Sequence, residues 1–260
     1  MLFPVRNVVA MTPVWNESLA MIQAFQEQID DVRKALIAKG IAFRHFFLDD
    51  GAMHLPDESS ILVRHASNLG LAQTLSDAYT AVLELKVKAD VIARLDCQEH
   101  DPRKIIEAVD HLTRVPVNAV YLPVIYNVNG EPSRRMVEVT QIIARLSAAL
   151  NPPDTAVVDG IYNQIFPLGY QVYRVELLSA ILPKFKSAVE RFQGKFGVKP
   201  TWGFDLLSLL LAAEVDPMKI DFLFGGWMEP WSQNRGPDKV EAQQKRVHMM
   251  LDLYAEMQNG

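Results

Sequence analysis

The sequence predicts an α/β protein in which a mostly parallel β-sheet is flanked by helices. In the first half of the chain, short apolar runs rich in β-branched and aromatic residues alternate with segments of helical periodicity. Strands joined through helices need crossover connections, which are almost always right-handed and give a parallel sheet. Ligands of such sheets bind at the carboxyl ends of the strands, so the functional residues are expected there.

The strands of the first half are predicted from five apolar runs. The helix after the first strand is expected to begin at a cap formed by Asn16 or Ser18 and to extend to Gly40, because its apolar residues recur at helical spacing. Two more helices are expected, from about Leu71 to Val87 and after Pro102. The five predicted strands are Arg6–Pro13, Ile41–Leu48, Ile61–His65, Asp90–Leu95 and Val117–Tyr126.

The second half, residues 127–260, has a different pattern from the first half, residues 1–126, and the two are expected to share one sheet. The stretch "NPPDTAVVDG" predicts a loop, and "GGWMEPWSQNRGPDK" predicts another with two tryptophans. Elsewhere we expect helices over Ser133–Leu150, from the end of "IFPLGYQVYR" to Gly194, over "WGFDLLSLLLAAEV" and from about Pro237, with strands in "IFPLGYQVYR" and "MKIDFLF".

Composition and charge exclude several classes of protein. The chain has 260 residues, 49% of them hydrophobic, and a net charge of −5, so no overall field favours nucleic acid or an anionic membrane. The single cysteine, Cys97, excludes an internal disulfide and fits a reducing compartment. No signal-peptide pattern is evident, and the longest apolar run, Leu206–Val215, is far below the ~20 residues that span a bilayer. A soluble, cytoplasmic protein is expected.

Polar residues follow three of the predicted strands. Each cluster alone has an ordinary explanation, since an Asp-Asp-Gly turn usually hydrogen-bonds its own backbone. Three clusters at successive carboxyl ends are more informative, because the fold brings those ends together. The clusters lie in "TPVWNES" after strand one, "LDDGA" after strand two and "RLDCQEHDP" after strand four.

The order of these motifs resembles the first half of family-two inverting glycosyltransferases, which have the Rossmann-like GT-A fold of the nucleotide-diphospho-sugar transferases. The resemblance covers roughly the first hundred residues, in "PVWNES", "FLDDGA", "RHASNLGLA" and "ADVIARLDCQEHDP". Further on, "GYQVYRVELLSAILP" and "RGPDK" are similar to later family segments. The resemblance implies transfer of a sugar from a UDP- or GDP-sugar to an acceptor hydroxyl with inversion. Residues 1–126 would bind the donor, and residues 127–260 the acceptor.

The resemblance also implies which residues bind the donor. Asp50 would accept the N–H of the base, and Pro13 and Trp15 offer a flat apolar surface to it. Asn68 and Gly70 precede a helix N-terminus, which suits polar or anionic ligand atoms, and Arg64 adds a positive fork. The predicted donor-binding residues are Pro13, Trp15, Asn16, Glu17, Asp49, Asp50, Arg64, Asn68, Gly70, Asp96, Arg235 and Lys239.

A divalent cation, Mg²⁺ or Mn²⁺, is implied by the family's Asp-x-Asp motif. Here that motif reads Asp96-Cys97-Gln98, and Gln98 offers only a neutral amide oxygen. Either Glu99 or Asp101 supplies the missing carboxylate, or metal binding is weak, or cations stabilise the leaving diphosphate. The predicted ligands are Asp96, Gln98 and Glu99, and the cations of the last alternative are Arg235 and Lys239.

The family places its catalytic base at the head of the helix after the Gly-Tyr segment, where Asp205 lies in "TWGFDLL". A carboxylate there would take the proton of the acceptor hydroxyl. The plainer interpretation is a first-turn acid favoured by the helix dipole. Asp159 in "VVDGIY" is the second candidate base, although Asp-Gly is more often a turn. Trp202 and Tyr170 are the predicted acceptor-binding residues.

Two other functions stay open. A protein that binds nucleotide sugar with little or no turnover would explain Gln98. A sugar nucleotidyltransferase needs a glycine-rich basic loop after strand one, which "TPVWNESLA" lacks. Dinucleotide binding is disfavoured because no GxGxxG follows a strand. One face of the last helix, formed by Val247, Met250, Leu251 and Tyr254, predicts either core packing or the contact of a homodimer.

Overall fold

The computed structural model describes residues 4–51, 55, 58–84, 88–97, 101–126, 132–162, 170–228 and 237–259. Within these residues the strands are β1 (Asn7–Val14), β2 (Ala42–Asp49), β3 (Ile61–Arg64), β4 (Val91–Arg94), β5 (Ala119–Leu122), β6 (Val124–Tyr126), β7 (Tyr170–Arg174), β8 (Ile220–Phe222) and β9 (Gly226–Met228). The helices are α1 (Leu19–Ala38), α2 (Leu71–Glu84), α3 (Lys104–Arg114), α4 (Pro132–Ala149), α5 (Thr155–Tyr162), α6 (Val175–Phe196), α7 (Phe204–Val215) and α8 (Pro237–Asn259).

Seven strands form one sheet in the order β3-β2-β1-β4-β7-β5-β8. All neighbouring pairs are parallel except those of β7, which runs antiparallel to β4 and to β5. Strands β7 and β8 come from the second half of the chain and join those of the first half. The predicted fold class, an α/β protein with a mostly parallel sheet flanked by helices, is confirmed.

Each face of the sheet is covered by a separate apolar core. Helices α1 and α3 cover one face, called here the α1 face, through residues such as Phe25 and Leu112. Helices α2 and α4 to α8 cover the other, called the α7 face, through residues such as Leu75 and Leu210. Because neighbouring residues of a strand point to opposite faces, each strand contributes to both cores.

The predicted start of α1 is confirmed at Ser18, whose hydroxyl accepts a hydrogen bond from the Met21 N–H at 3.2 Å. Asn16, the other candidate cap, instead has a positive φ of 67° in the turn before the helix. The turn suits asparagine, which tolerates the left-handed region better than most residues.

The predicted loop over "NPPDTAVVDG" is wrong in its second part, because α5 occupies Thr155–Tyr162. The carboxylate of Asp154 accepts hydrogen bonds from the Ala156 and Val157 N–H groups, both at 3.1 Å, and so caps the helix. Val158, Ile161 and Tyr162 recur at helical spacing and are buried. The capping carboxylate and the buried apolar residues therefore favour a helix despite the low helix propensity of Gly160.

Two strand predictions also need correction. The fifth strand is divided at Pro123, so that β5 lies in the main sheet and β6 pairs with β9 in a separate two-stranded parallel sheet. Strand β9 lies inside the segment predicted as a loop with two tryptophans. Proline has no N–H to donate to a ladder, which explains the break.

The apolar face of the last helix belongs to the core of the same chain. Val247, Met250, Leu251 and Tyr254 are all buried on the α7 face. Core packing, rather than a dimer contact, therefore accounts for the pattern. No helix among the described residues combines the length and apolar character needed to cross a bilayer.

Candidate functional site

The ends of strands β1, β2 and β4 meet at one edge of the sheet, as predicted. Val14 and Asp49 are direct partners at the ends of β1 and β2, and the Asp50 N–H donates to the Val14 carbonyl at 3.1 Å. On the other side of β1, the Leu95 N–H donates to the Met11 carbonyl at 2.8 Å. The three polar clusters of the sequence therefore leave the sheet side by side.

Asp50 fastens the end of β2 to the loop before α2. Its carboxylate is 3% exposed and accepts hydrogen bonds from the Leu69 N–H at 2.7 Å and the Gly70 N–H at 3.1 Å. The Nδ1 atom of His65 lies 3.1 Å from the same group. The predicted base-reading residue is thus also an anchor of its own loop.

Two glycines make this loop arrangement possible. Gly51 and Gly70 have φ values of 89° and 102°, in the left-handed region that glycine adopts without strain. A Cβ atom on Gly51 would lie 2.9 Å from the Asn68 nitrogen, and one on Gly70 would lie 2.8 Å from the Pro200 carbonyl oxygen. The Asp-Asp-Gly turn therefore packs directly against the segment before α2.

The N-terminus of α2 is partly occupied by the protein itself. The Ala72 N–H donates to the Pro200 carbonyl at 3.0 Å, in addition to the bonds from residues 69 and 70 to Asp50. The Oδ1 atom of Asn68 is buried and has no hydrogen-bond partner among the described residues. Of the polar groups predicted here for donor binding, the Asn68 carbonyl oxygen is therefore one that a ligand can still satisfy.

The remaining predicted donor residues near β1 and β2 are more open to solvent. Trp15 is 54% exposed, and its N–H donates to the carboxylate of Glu17. Arg64 donates through Nε to the buried carboxylate of Asp49 at 3.0 Å, while its own side chain is 46% exposed. Pro13 is partly buried at the end of β1. An exposed aromatic face and a half-exposed guanidinium thus flank this part of the edge.

Strand β7 links the segment after β4 to the head of α7. The Tyr170 hydroxyl donates to the Asp96 carbonyl at 3.3 Å. The next residue, Gln171, donates through Nε2 to the Asp205 carbonyl at 3.2 Å. The backbone carbonyls of Asp96 and Asp205, the predicted diphosphate-side acid and catalytic base, are therefore bonded by adjacent residues of one strand, whose side chains lie on opposite faces of the sheet.

Asp205 lies in the first turn of α7 and is 8% exposed. The Tyr162 hydroxyl, on α5, donates to its carboxylate at 2.7 Å. Gly203 precedes the helix with a φ of 90°, and a Cβ atom there would lie 3.1 Å from the Val247 Cα. The close packing of α8 against this turn fixes the position of the carboxylate.

Trp202, predicted to hold a sugar ring, is partly buried and has the guanidinium of Arg246 at 5.1 Å from its ring. Arg246 also donates to the Thr201 hydroxyl, and burial lowers the pKa of its guanidinium. A cation therefore already occupies one region over the indole, at a distance typical of cation–π contact.

Asp159, the second candidate base, lies in α5 and not in a turn. Its Oδ2 atom is 3.1 Å from Nε2 of His248 on α8. Its Oδ1 atom is buried and has no hydrogen-bond partner among the described residues. The carboxylate thus retains one unsatisfied acceptor beside an imidazole.

Few of the residues predicted to bind a divalent cation lie in the described part of the chain. Asp96 is described and partly buried, whereas Gln98, Glu99 and Arg235 lie outside the described residues, as does the Lys239 side chain. Across the described ranges, no group of three His, Cys, Asp or Glu side chains is placed to hold a metal ion. The described donor set is therefore incomplete for Mg²⁺ or Mn²⁺.

Asp101, an alternative second carboxylate, is engaged by its own loop. It accepts hydrogen bonds from Arg103 Nε at 2.7 Å and from the Arg103 N–H at 3.0 Å. Burial raises the pKa of Asp101, but the Arg103 hydrogen bonds and charge outweigh it and lower the pKa. Its carboxylate is thus ionised and paired at the start of α3.

Sequence reasoning missed a set of buried polar residues on the α7 face. The Tyr173 hydroxyl donates to Gln171 Oε1 at 2.6 Å, and the Ser208 hydroxyl donates to the Asp205 carbonyl at 2.6 Å. Arg94 is 3% exposed at the end of β4. An arginine inside the run "DVIARL" was the signal in the sequence, because a buried strand rarely contains an ionised residue.

Comparison with known proteins yields likenesses of structure only. No family model matches the sequence, and no curated protein matches it. A mycobacterial protein is 18% identical with a TM-score of 0.47, covering 95% of this chain and 73% of that one. A glycosyltransferase involved in the glycosylation of the major capsid of PBCV-1 is 9% identical, with a TM-score of 0.40 and coverages of 95% and 98%.

A third similar structure is 4-diphosphocytidyl-2C-methyl-D-erythritol synthase from Anaerococcus prevotii. It is 8% identical with a TM-score of 0.41, covering 94% of this chain and 99% of that one. TM-scores below 0.5 carry no functional argument. The functional proposal therefore rests on the residues of this chain.

Proposed function

We propose that the protein is a glycosyltransferase that moves a sugar from a UDP- or GDP-sugar to an acceptor hydroxyl with inversion. The observation that carries the proposal is the pair of hydrogen bonds from adjacent residues of β7. Tyr170 bonds the segment of Asp96, and Gln171 bonds the first turn of α7 at Asp205. A donor-side acid and a candidate base at one sheet edge fit a transferase that acts between donor and acceptor.

The proposed reaction needs one proton acceptor and one leaving group. The acceptor oxygen bonds to the anomeric carbon as the bond from that carbon to the diphosphate oxygen breaks. The nucleoside diphosphate leaves with the electron pair, and the hydroxyl proton passes to the Asp205 carboxylate. The hydrogen bond from Tyr162 holds that carboxylate in one orientation.

The donor is proposed to bind along β1, β2 and the start of α2, in residues 1–126. Trp15 and Pro13 would contact the base, and Asn68 would use its unsatisfied Oδ1 to accept a hydrogen bond from the nucleotide. Asp50 and Arg64 would act at the same edge, where their own contacts already fix them. The acceptor would bind near Trp202 in residues 127–260.

A divalent cation stays part of the proposal, but no reaction step is assigned to it. When bound, Mg²⁺ or Mn²⁺ would offset the charge of the diphosphate. Arg235 and Lys239 are the proposed alternative. Activity in EDTA and in a Mn²⁺ series separates the two, because full activity in EDTA leaves the charge to cations of the protein.

Nucleotide-sugar binding with little or no turnover is the second candidate function. It is favoured by the burial of Asp205, which is 8% exposed with its carboxylate hydrogen-bonded to Tyr162. In this alternative, Asp205 is a structural acid of the first turn, stabilised by the helix dipole.

Calorimetric titration with UDP and GDP tests what both candidates share, and adenosine diphosphate is the control nucleotide. A ligand that binds only the folded state also raises the melting temperature. We expect UDP or GDP to bind and to stabilise the protein. The absence of binding by either nucleotide contradicts both candidates.

A further inference from the structure

Arg94 is a buried arginine, and two nitrogens of its guanidinium group have no hydrogen-bond partner among the described residues. Its side chain is 3% exposed at the carboxyl end of β4, and its Nε and Nη1 atoms are buried without a hydrogen-bond partner among the described residues. Leaving a buried charge unpaired is costly, and buried arginines normally bind carboxylates or carbonyl oxygens. The cost indicates that a group from outside the chain completes the site.

Two buried hydroxyls on the same face also lack partners. Tyr79 and Tyr121 are 2% and 0% exposed. The Tyr79 hydroxyl has no hydrogen-bond partner among the described residues, and the Tyr121 hydroxyl lies beside the Tyr173 and Ser208 hydroxyls without good hydrogen-bond geometry to either. Both rings pack edge-on against Tyr173, with centroid distances of 6.4 Å and 5.7 Å. The two phenols therefore flank one central ring.

Sheet register places Arg94 and Tyr121 in one row, with Gln171 between them. Gln171 is the direct partner of Arg94 on one side and of Tyr121 on the other, so the three side chains form a row on one face. Burial raises the pKa of Tyr79, and the positive charge of Arg94 acts in the opposite direction.

Arg174, a second buried arginine of the same sheet, has a structural role because its guanidinium is hydrogen-bonded. It is 7% exposed, and its guanidinium donates to the Leu112 carbonyl at 2.6 Å and to the Val117 carbonyl at 3.1 Å. The Leu112 carbonyl lies in the last turn of α3, and the Val117 carbonyl lies in the segment between α3 and β5. Arg94 differs from Arg174 in that its buried nitrogens are unsatisfied.

We propose that Arg94, Tyr79 and Tyr121 bind a carboxylate group of the substrate, an inference that rests on the proposed glycosyl transfer. The cluster offers one positive charge and two neutral donors, which match a monoanion. Gln171 joins Arg94 to the first turn of α7, where Asp205 adds a negative charge. A dianionic phosphate would be poorly balanced there, so a carboxylate is favoured.

The carboxylate has two possible sources, the donor sugar or the acceptor. Calorimetry at fixed ionic strength with matched probes separates them. UDP-glucuronate against UDP-glucose tests the donor, and glucuronate against glucose in the presence of UDP tests the acceptor. In one of the two pairs we expect the carboxylate to bind at least about tenfold more tightly, which corresponds to about 1.4 kcal/mol.

Arg94→Met tests the role of the cation. The substitution removes an unpaired buried charge, so the melting temperature should not fall, while the preference for the carboxylate probe should be lost. Arg174→Met is the matched control, and it should lower the melting temperature while the residual folded protein keeps the preference. Tyr121→Phe removes one hydroxyl with little change of shape and should weaken the preference about threefold.

Equal affinities within both probe pairs for the wild-type protein overturn the proposal, and so does a preference that survives Arg94→Met. If Arg94→Met does not fold, an unchanged preference in Tyr121→Phe overturns it. Binding of UDP or GDP alone is measured in the same titrations. Equal affinities for the carboxylate and neutral probes in the wild-type protein, with intact nucleotide binding, contradict only the carboxylate site, whereas absence of nucleotide binding contradicts the proposed function.

Discussion

Two stretches of one sheet edge differ in whether their polar side chains have hydrogen-bond partners. At the ends of β1, β2 and β3, Asp50 accepts two backbone hydrogen bonds, and Asp49 pairs with Arg64. At the ends of β4 and β5, Arg94 and Tyr121 have buried polar atoms without partners among the described residues. The first stretch is organised by its own loops apart from the buried Oδ1 atom of Asn68, and in the second the unsatisfied groups include a guanidinium.

The difference indicates how the two stretches would work. Polar groups that are already bonded fix loop positions, so a ligand that binds there meets a rigid surface at little entropic cost. Buried groups without partners destabilise the free protein and favour the bound state. Substitutions in the β1–β3 stretch are therefore expected to change mainly the stability of the protein. Substitutions in the β4–β5 stretch are expected to change mainly ligand affinity and turnover.

The largest expected effect concerns Asp205, beside the β4–β5 stretch. Asp205→Asn retains the shape of the side chain and can still accept a hydrogen bond from Tyr162. We expect turnover to fall by roughly 10²–10⁴-fold, the usual contribution of a positioned base, with nucleotide affinity unchanged. Steady-state kinetics and calorimetry on the same preparation measure both quantities.

Tyr162→Phe is the matched control for Asp205→Asn, because it removes the hydrogen bond and leaves the carboxylate. Turnover should fall much less than in Asp205→Asn. Near-normal turnover of Asp205→Asn would exclude the base role. A large loss of melting temperature in that variant would identify a structural acid, and Asp159 beside His248 would become the candidate base.

An intermediate effect is expected at the β1–β3 stretch. Asp50→Ala leaves the Leu69 and Gly70 N–H groups without their acceptor, so the free energy of unfolding should fall by about 1–3 kcal/mol. Nucleotide affinity should weaken by at least about 1 kcal/mol, because this residue aligns with the family's base-reading position. Urea titration and calorimetry provide the two values.

Asp49→Ala is the control, because it removes the neighbouring buried carboxylate of the same turn, which pairs with the half-exposed Arg64. Its loss of stability should be smaller than that of Asp50→Ala. Equal losses in the two variants would show that the loop is not anchored by Asp50. Unchanged nucleotide affinity in Asp50→Ala would remove the Asp-Asp-Gly turn from the donor site.

The smallest effect lies on the α1 face, away from the unpaired groups. Burial, with a contribution from the charge of Arg33, lowers the pKa of His45 to about 3. Between that value and the unfolded value of about 6.5, only the unfolded chain binds the proton. Stability is therefore complete above pH 6.5 and decreases as the pH falls, by about 1–1.5 kcal/mol between pH 7.5 and 5.5.

His45→Gln removes the titrating group and should flatten this part of the profile, measured as the free energy of unfolding at each pH. Its Thr12 contact, 2.8 Å in the wild type, can be retained by the amide. A profile that stays as steep in His45→Gln would assign the pH dependence to other groups. Turnover should stay unchanged, since the contacts of His45 in the described part of the chain are with Thr12, Phe25 and Phe47, none of them a proposed site residue.

The sequence predicted the fold class because its apolar runs alternate with helical periodicity. It also predicted the three polar strand ends, since motif order and parallel topology place them at one edge. It did not predict the antiparallel insertion of β7 between β4 and β5, which depends on tertiary pairing. The link from Asp96 to Asp205 and the row formed by Arg94, Gln171 and Tyr121 follow from that insertion. Neither was visible from sequence spacing.

Local patterns misled the prediction in the second half. Two prolines and an Asp-Gly pair suggested a loop at 151–160, whereas the capping carboxylate of Asp154 and buried Val158 and Ile161 form α5 there. That helix supplies Tyr162, the partner of Asp205. The hydrogen bond that orients the candidate base was therefore hidden by turn-forming residues.

Glycosyl transfer itself is measured as release of nucleoside diphosphate from a panel of UDP- and GDP-sugars, in the presence of neutral and carboxylated sugar acceptors. We expect acceptor-dependent release with at least one donor, a new glycoside of inverted anomeric configuration, and loss of most of this activity in Asp205→Asn. Binding of the nucleotides without release from any donor would contradict glycosyl transfer and leave a nucleotide-sugar-binding protein.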